Sequence, residues 1–214
     1  MKNKLVFAAL LCLFTIQANA QTEKGKVMLG GYASFYTYKF EGQSAQKSNY
    51  FSTSLRSAYF INDNLAIGIG LLYNYYKDTQ SDLNDQTPLS RQTSRSYGLA
   101  PFVRYYFNIN EKFKIFNELA INGNIGKSKY NNETSPFFSS ENKFKQFGAN
   151  IKPGLAYFPI KKIAIEFSFP MLSYQKSFNE ATYMENPDPF KTDGEEFQFG
   201  IDTFKPTIGV NFHF

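Results

Sequence analysis

Among 214 residues there is one cysteine, one histidine and no tryptophan. A lone cysteine forms no internal disulfide, and without a cluster of Cys and His there is no transition-metal centre. One histidine, His213, leaves the many serines without a general base beside them to activate a nucleophile. No phosphate-cradling glycine loop occurs. Past residue 20 there is no run of eighteen apolar residues, so no helix is expected to span a membrane. Charge of one sign is also scarce. Of 23 basic residues two, Lys2 and Lys4, lie in the first four positions, leaving 21 against 18 acids, a net +3. Such a balance gives no case for nucleic acid. The expectation is therefore a protein with no catalytic residue, no cofactor and no metal.

What is present begins with a leader. Lys2 and Lys4 form a positive start, Leu5 to Ile16 is apolar, and Ala18-Asn19-Ala20 is a small-x-small cleavage site before Gln21. This reads as a secretory signal peptide over residues 1–20, too short and wrongly flanked for a spanning helix. Cys12 lies inside the apolar stretch behind Leu10 and Leu11, which does not suit a lipoprotein signal. Its removal leaves an exported, disulfide-free chain, residues 21–214, of single-domain size.

That mature chain is rich in Phe and Tyr. Aromatic residues make up 18% of the sequence, and strands and membrane interfaces both recruit them. Period-two alternation predicts eight strands: Val27 to Phe40, Asn49 to Phe60, Leu65 to Tyr76, one within Arg91 to Phe107, Phe113 to Gly126, Lys143 to Phe158, Ile163 to Tyr174, and one within Phe197 to Phe214. Short turns at Ile61 to Asn64, Asn108 to Lys112 and Pro159 to Lys162 alternate with polar loops at Glu41 to Lys47, Asp78 to Ser90, Lys127 to Asn142 and Gln175 to Glu195. The expected fold class is an all-β, eight-stranded antiparallel up-and-down barrel that crosses a membrane with its strands.

The two faces decide which side meets lipid. On the third strand Leu65, Ile67, Ile69, Leu71, Tyr73 and Tyr75 share one face, with Ala66, Gly68 and Gly70 on the other. Apolar sets from eight strands would overfill so narrow an interior, so they are assigned outward. Small residues at 66, 68, 70, 98, 100, 148, 154 and 156 then line the lumen, leaving room for longer polar neighbours. This places Arg56, Arg104, Glu118, Lys152, Glu166 and Lys205 inside. Buried charge must be paired. The expected pairing sets Arg104 beside Glu118, and Lys152 and Lys205 beside Glu166, as a structural plug; its rival is the lining of an ion or water path. Outward aromatics fall in two groups: Tyr59, Phe107, Tyr157, Phe212 and Phe214 near the short turns, and Phe35, Tyr73, Tyr75 and Tyr97 near the loops. Two girdles fit two membrane interfaces.

The last strand alternates Pro206, Ile208, Val210, Phe212 and Phe214 against Lys205, Thr207, Gly209, Asn211 and His213. Its Phe212-His213-Phe214 end resembles the insertion signal of Gram-negative outer-membrane proteins. The stretches Tyr59 to Gly68, Pro101 to Phe107 and Pro153 to Phe158 resemble the strand-turn-strand signatures of the outer-membrane β-barrel domain family, the small OmpA-, OmpX- and OmpW-like barrels. The resemblance covers essentially the whole mature chain. It implies a Gram-negative outer-membrane location, outer-membrane lipids and lipopolysaccharide as surroundings, and the barrel-assembly machinery as a partner. No peptidoglycan-binding domain follows Phe214, so wall anchoring is not expected. A monomer is expected, with His213 a rim residue at the short-turn end. Two functional classes stay open: a plugged barrel that presents its long loops to an extracellular protein or surface ligand, and a small pore or transporter for a minor polar or hydrophobic solute.

Overall fold

A computed structural model describes residues 22–42, 44–83, 87–184, 188–200 and 207–214. Ala18, Ala20 and Gln21 of the expected cleavage site, and Lys205, lie outside them. The strands are β1 (Val27–Glu41), β2 (Ala45–Asn62), β3 (Leu65–Ser81), β4 (Pro88–Asn108), β5 (Phe113–Asn132), β6 (Ser140–Ile160), β7 (Ile163–Ser168), β8 (Leu172–Tyr183), β9 (Phe190–Phe199) and β10 (Thr207–His213). All neighbours pair antiparallel. β1 to β6 follow one another, β6 pairs with both β7 and β8, β8 with β9, and β10 joins β7 to β1. The ten segments thus make eight staves of a closed barrel, the seventh being β7 with β8 and the eighth β9 with β10.

The expected apolar sets face outward. Ile67, Ile69, Leu71, Leu99, Val103, Leu119, Ile121 and Ile208 are exposed, while Ala66, Ala120, Ala156 and Ala164 are buried in the lumen. Exposure of this kind follows when hydrocarbon, and not water, surrounds the wall. Aromatic contacts mark both ends of the band. Tyr105 meets Phe107 at 4.8 Å and Phe113 meets Tyr157 at 4.8 Å near the short turns, and Tyr73 meets Tyr97 at 5.1 Å toward the other end. The short turns behave as their residues require. Asn64 takes a left-handed conformation (φ 63°), which asparagine tolerates. Asn110 Oδ1 accepts hydrogen bonds from the backbone N–H groups of Lys112 and Phe113, closing the next turn.

Three expectations change. The four long loops shrink to residues 42–44, 82–87, 133–139 and 184–189, because the strands run on through them. β4 and β6 have 21 residues each, whereas crossing the membrane takes about 9–11. Beyond the lipid both faces of a strand are wet, so polar residues occupy both and the alternation that marks a strand disappears. The seventh strand does not stop at Tyr174. It carries a bulge: Ser168 opposes Gly154 and Leu172 opposes Ile151, which sets one extra residue on this side. The N–H groups of Phe169 and Met171 still donate to Pro153 O and Ile151 O. Between them sits Pro170, which has no N–H to lose. The eighth stave, expected within Phe197 to Phe214, starts earlier, with β9 (Phe190–Phe199), and ends in β10 (Thr207–His213).

At the closing seam Met28 to Gly31 pair with His213 to Val210. Val27 N–H donates to Phe214 O and Phe214 N–H to Val27 O, at 3.0 and 2.9 Å. Deleting Phe214 removes this reciprocal pair as well as the terminal ring. The folded, heat-modifiable fraction on a gel is expected to fall, and an unchanged fraction would discount the last residue. Glycine matters most where strands leave no room for a side chain. A Cβ on Gly154 would overlap the Phe116 ring and lie 2.6 Å from Phe167 O. Gly154→Ala is expected to cost about 1–3 kcal/mol by overpacking. Gly194→Ala, where the nearest atom is Ser177 Oγ at 3.3 Å, is expected to stay within about 0.5 kcal/mol. Urea unfolding in lipid vesicles compares the two.

Candidate functional site

The inward face of β4 carries Phe102, Arg104 and Tyr106 in succession, all buried. Their neighbours on β5, Phe116, Glu118 and Ala120, are buried too. Small residues make the space. A Cβ on Gly68 would lie 2.5 Å from the Phe102 ring, and Gly154 does the same service for Phe116. Strand alternation therefore delivers a charged layer between aromatic layers.

Arg104 is the centre of that layer, with 1% of its surface exposed. Its Nε and Nη2 donate to Glu118 Oε2 at 2.9 and 2.7 Å. Its Nη1 donates to Glu166 Oε1 and Oε2 at 2.8 and 2.7 Å, and to the Tyr106 hydroxyl at 2.9 Å. That hydroxyl lies 3.1 Å from Glu166 Oε1. Arg56 Nη2 reaches the same Glu118 Oε2 at 2.6 Å. The guanidinium of Arg104 also lies 4.2 Å from the Phe116 ring centroid, and that of Arg56 lies 4.0 Å from Phe102. Two arginines and two glutamates thus balance within one cluster.

The expected pairing changes in one respect. Lys152 stands opposite Glu118 in the ladder, not against Glu166. Glu166 is held by Arg104, which reaches it from three staves away. A guanidinium has two donor edges, and in so narrow a lumen one Arg spans between carboxylates on different walls. Lys152 instead lines, with Arg56, Tyr32, Asn122 and Asn150, a cavity of about 350 Å³ above the cluster.

Below the cluster the lumen is filled. Met28, Phe60, Tyr106, Phe116 and Phe158 are all at most 1% exposed. His213 is not a rim residue: it is fully buried, with the rings of Phe60, Phe158 and Tyr106 at 5.8, 5.1 and 6.5 Å. It belongs to the inward set of the last strand, and that position already points it into the barrel. Lower still, Lys114 Nζ donates to Thr22 Oγ1 at 2.8 Å and to Asn108 Oδ1 at 2.7 Å, and Thr22 Oγ1 donates to Asn64 Oδ1 at 2.6 Å. Lys114 and Tyr106 were absent from the sequence-based set, although both share the inward face with residues in it. Among the described residues no three His, Cys, Asp or Glu side chains gather to hold a metal ion.

The sequence of the outer membrane protein beta-barrel domain family matches residues 6–214. The fold is similar to that of OprG from Pseudomonas aeruginosa, at 12% identity over 92% of this chain and 99% of that one, with a TM-score of 0.49. It is also similar to Ail of Yersinia pestis, at 14% identity over 89% and 99% with a TM-score of 0.45, and to neisserial surface protein A, at 15% over 89% and 98% with a TM-score of 0.42. Comparison with curated proteins finds no match. With the whole wall of strands covered by the match, the chain belongs to the outer membrane protein beta-barrel domain family and is a β-barrel of the Gram-negative outer membrane.

Proposed function

We propose that this protein is a plugged, non-conducting barrel whose role is structural or surface-interacting, and that its tall outer wall and connecting turns present the binding surface. The observation that carries this reading is Arg104, enclosed at 1% exposure and holding Glu118 and Glu166 together. Aromatic rings and the Lys114–Thr22 contacts continue the blockage below it. Axial passage would require breaking a buried ion cluster, with a desolvation penalty of several kcal/mol for each ion left unpaired. Strands twice the length needed for the bilayer supply a rigid wall outside it, and exposed connections on rigid scaffolds are where binding function concentrates. No catalytic role is assigned, since His213 lies beneath the cluster, away from the outer connections. The leader over residues 1–20 would deliver the chain for export, and the assembly machinery would read the Phe212 and Phe214 end. An extracellular protein or surface ligand is the partner class.

The cavity of about 350 Å³ above Arg104 favours a second reading, uptake of a minor solute. Planar-bilayer recording on the refolded mature protein separates the two. The expected trace has no conductance steps, and reproducible steps from the wild type would overturn the plug. Stability gives an independent check. Arg104→Met strands the buried Glu166 and leaves Glu118 only Arg56 as a partner, and is expected to cost about 3–5 kcal/mol. Adding Glu166→Gln is expected to recover much of that loss, because Glu118 and Arg56 remain paired and no lone charge is left beside position 104. Urea unfolding in lipid vesicles measures this coupling. A near-zero cost for Arg104→Met would mean a hydrated channel in place of a dry plug.

A further inference from the structure

Outside the lumen, one sector of the wall carries an unusual arrangement of charge. Arg95 on β4, Lys127 on β5 and Lys143 on β6 stand directly opposite one another. In the adjoining row Tyr97 faces Ile125 and Ile125 faces Lys145, and one row further out Lys129 faces Glu141. Arg95, Lys127, Lys129, Lys143 and Lys145 are all exposed and share the outward set with Leu99 and Ile121. Like charges directly opposite each other destabilise a sheet, so three cations in one row need a source of compensation. Glu141 supplies part of it, at 2.5 Å from Lys127 and 3.6 Å from Lys129, and Glu180, directly opposite Lys143 in the same row, supplies another part, leaving the Arg95–Lys127 end in excess of cation. Arg95, Lys143 and Lys145 make no salt bridge among the described residues; Arg95 lies 5.6 Å from the Tyr75 ring centroid. Continued the other way, the same row is Tyr75, Phe51 and Phe35, so the cations belong to one side of the barrel only.

The cations border a groove of about 920 Å³ on the outer wall, lined also by Tyr97, Ile125 and Phe178. It includes two acids, Glu180 and Asp193, against five bases, the fifth being Lys191. Toward the membrane the columns become apolar: Leu99, Gly123 and Phe147 form one row, with Ile121 beyond. At Gly123 the wall is low, and the Phe147 ring lies against it, 3.5 Å from where a Cβ would stand. A positive cluster directly above an apolar wall is complementary to a molecule with phosphate at its head and acyl chains below.

The geometry points to a binding site for a phosphorylated glycolipid of the outer leaflet. Its phosphate is held by Arg95, Lys127, Lys143 and Lys145, and its acyl chains lie along Tyr97, Leu99, Gly123 and Phe147. Lysine and arginine bind phosphate through charge-assisted hydrogen bonds, and near the bilayer the reduced screening strengthens them. The phosphate also offsets the repulsion along the Arg95–Lys127–Lys143 row. This site is independent of whether the lumen conducts.

The test uses the refolded mature protein in phosphatidylcholine nanodiscs doped with lipid A bearing both phosphates or with its dephosphorylated form. Lipid retained on the protein after detergent exchange is counted by native mass spectrometry. The wild type is expected to retain the phosphorylated form at least tenfold better. Arg95→Gln with Lys143→Gln and Lys145→Gln is expected to lose that preference. Lys24→Gln with Lys26→Gln and Lys112→Gln, an equal loss of charge at the opposite end, is expected to keep it. Equal retention of both lipids by the wild type would overturn the site, as would a preference that survives in the groove variant. Displacement of the lipid by inorganic phosphate alone would reassign the cluster to a free anion and overturn the lipid. If the groove variant does not fold, the comparison of the two lipids on the wild type decides alone.

Discussion

One guanidinium in contact with two carboxylates sets the interior of this barrel. Burial of Arg104 to 1% exposure relies on Glu118 and Glu166, while Glu166 relies on Arg104 and Glu118 on Arg104 and Arg56 together. Each ion alone would carry a desolvation cost of several kcal/mol. Together they fix three staves, β4, β5 and β7, at mutual distances that a hydrogen bond can span. The alternation of the strands then follows outward from that layer. Aromatic rings lie above and below the guanidiniums, small residues sit where those rings need room, and the apolar side chains take the remaining face.

The same layer divides the molecule by height. Beneath it the lumen is a packed interior of Phe60, Phe116, Phe158 and His213, with Lys114 and Thr22 below them. Above it is a cavity lined by amides and hydroxyls together with Arg56, Glu118, Lys152 and Glu196. Higher still the strands leave the lipid, and β9 has every residue exposed. Charge is sorted in parallel. Inside, Glu118 and Glu166 are held by arginines; outside, bases gather on the wall of β4 to β6 where the apolar band ends. A barrel of this size has room for one pattern on each face, and here the inner one sets paired charge between aromatic rings while the outer one is apolar with a cationic border.

Much of this was legible in the sequence because one face of each strand meets lipid. Ile67, Ile69 and Leu71 against Ala66, Gly68 and Gly70 gave β3 and its orientation without ambiguity. The inward charges followed from the same parity, and Arg104 beside Glu118 followed from adjacency of strands. The reach of Arg104 to Glu166 was not legible, since it depends on the width of the lumen and not on neighbouring positions. His213 shares parity with Asn211, yet its place near the end of the chain suggested the rim. Strand continuations such as Lys127 to Asn132 carried no signal, since both of their faces are wet. The seventh strand was lost at its bulge: outward residues are odd-numbered through Phe167 and even-numbered from Leu172, so no single period runs across it.

That bulge also makes Pro170 separable from the rest of the wall. Anywhere inside a regular stave, losing one residue turns every later side chain to the wrong face. At the bulge the count works the other way. With one residue fewer between Ser168 and Leu172, Gly154 and Ile151 would keep their present partners, and Tyr174, Lys176 and Phe178 would keep their present faces. Pro170 therefore sets the curvature of the wall beside the upper cavity without encoding its register. The chain can gain or lose a residue at this point as an adjustment of shape alone.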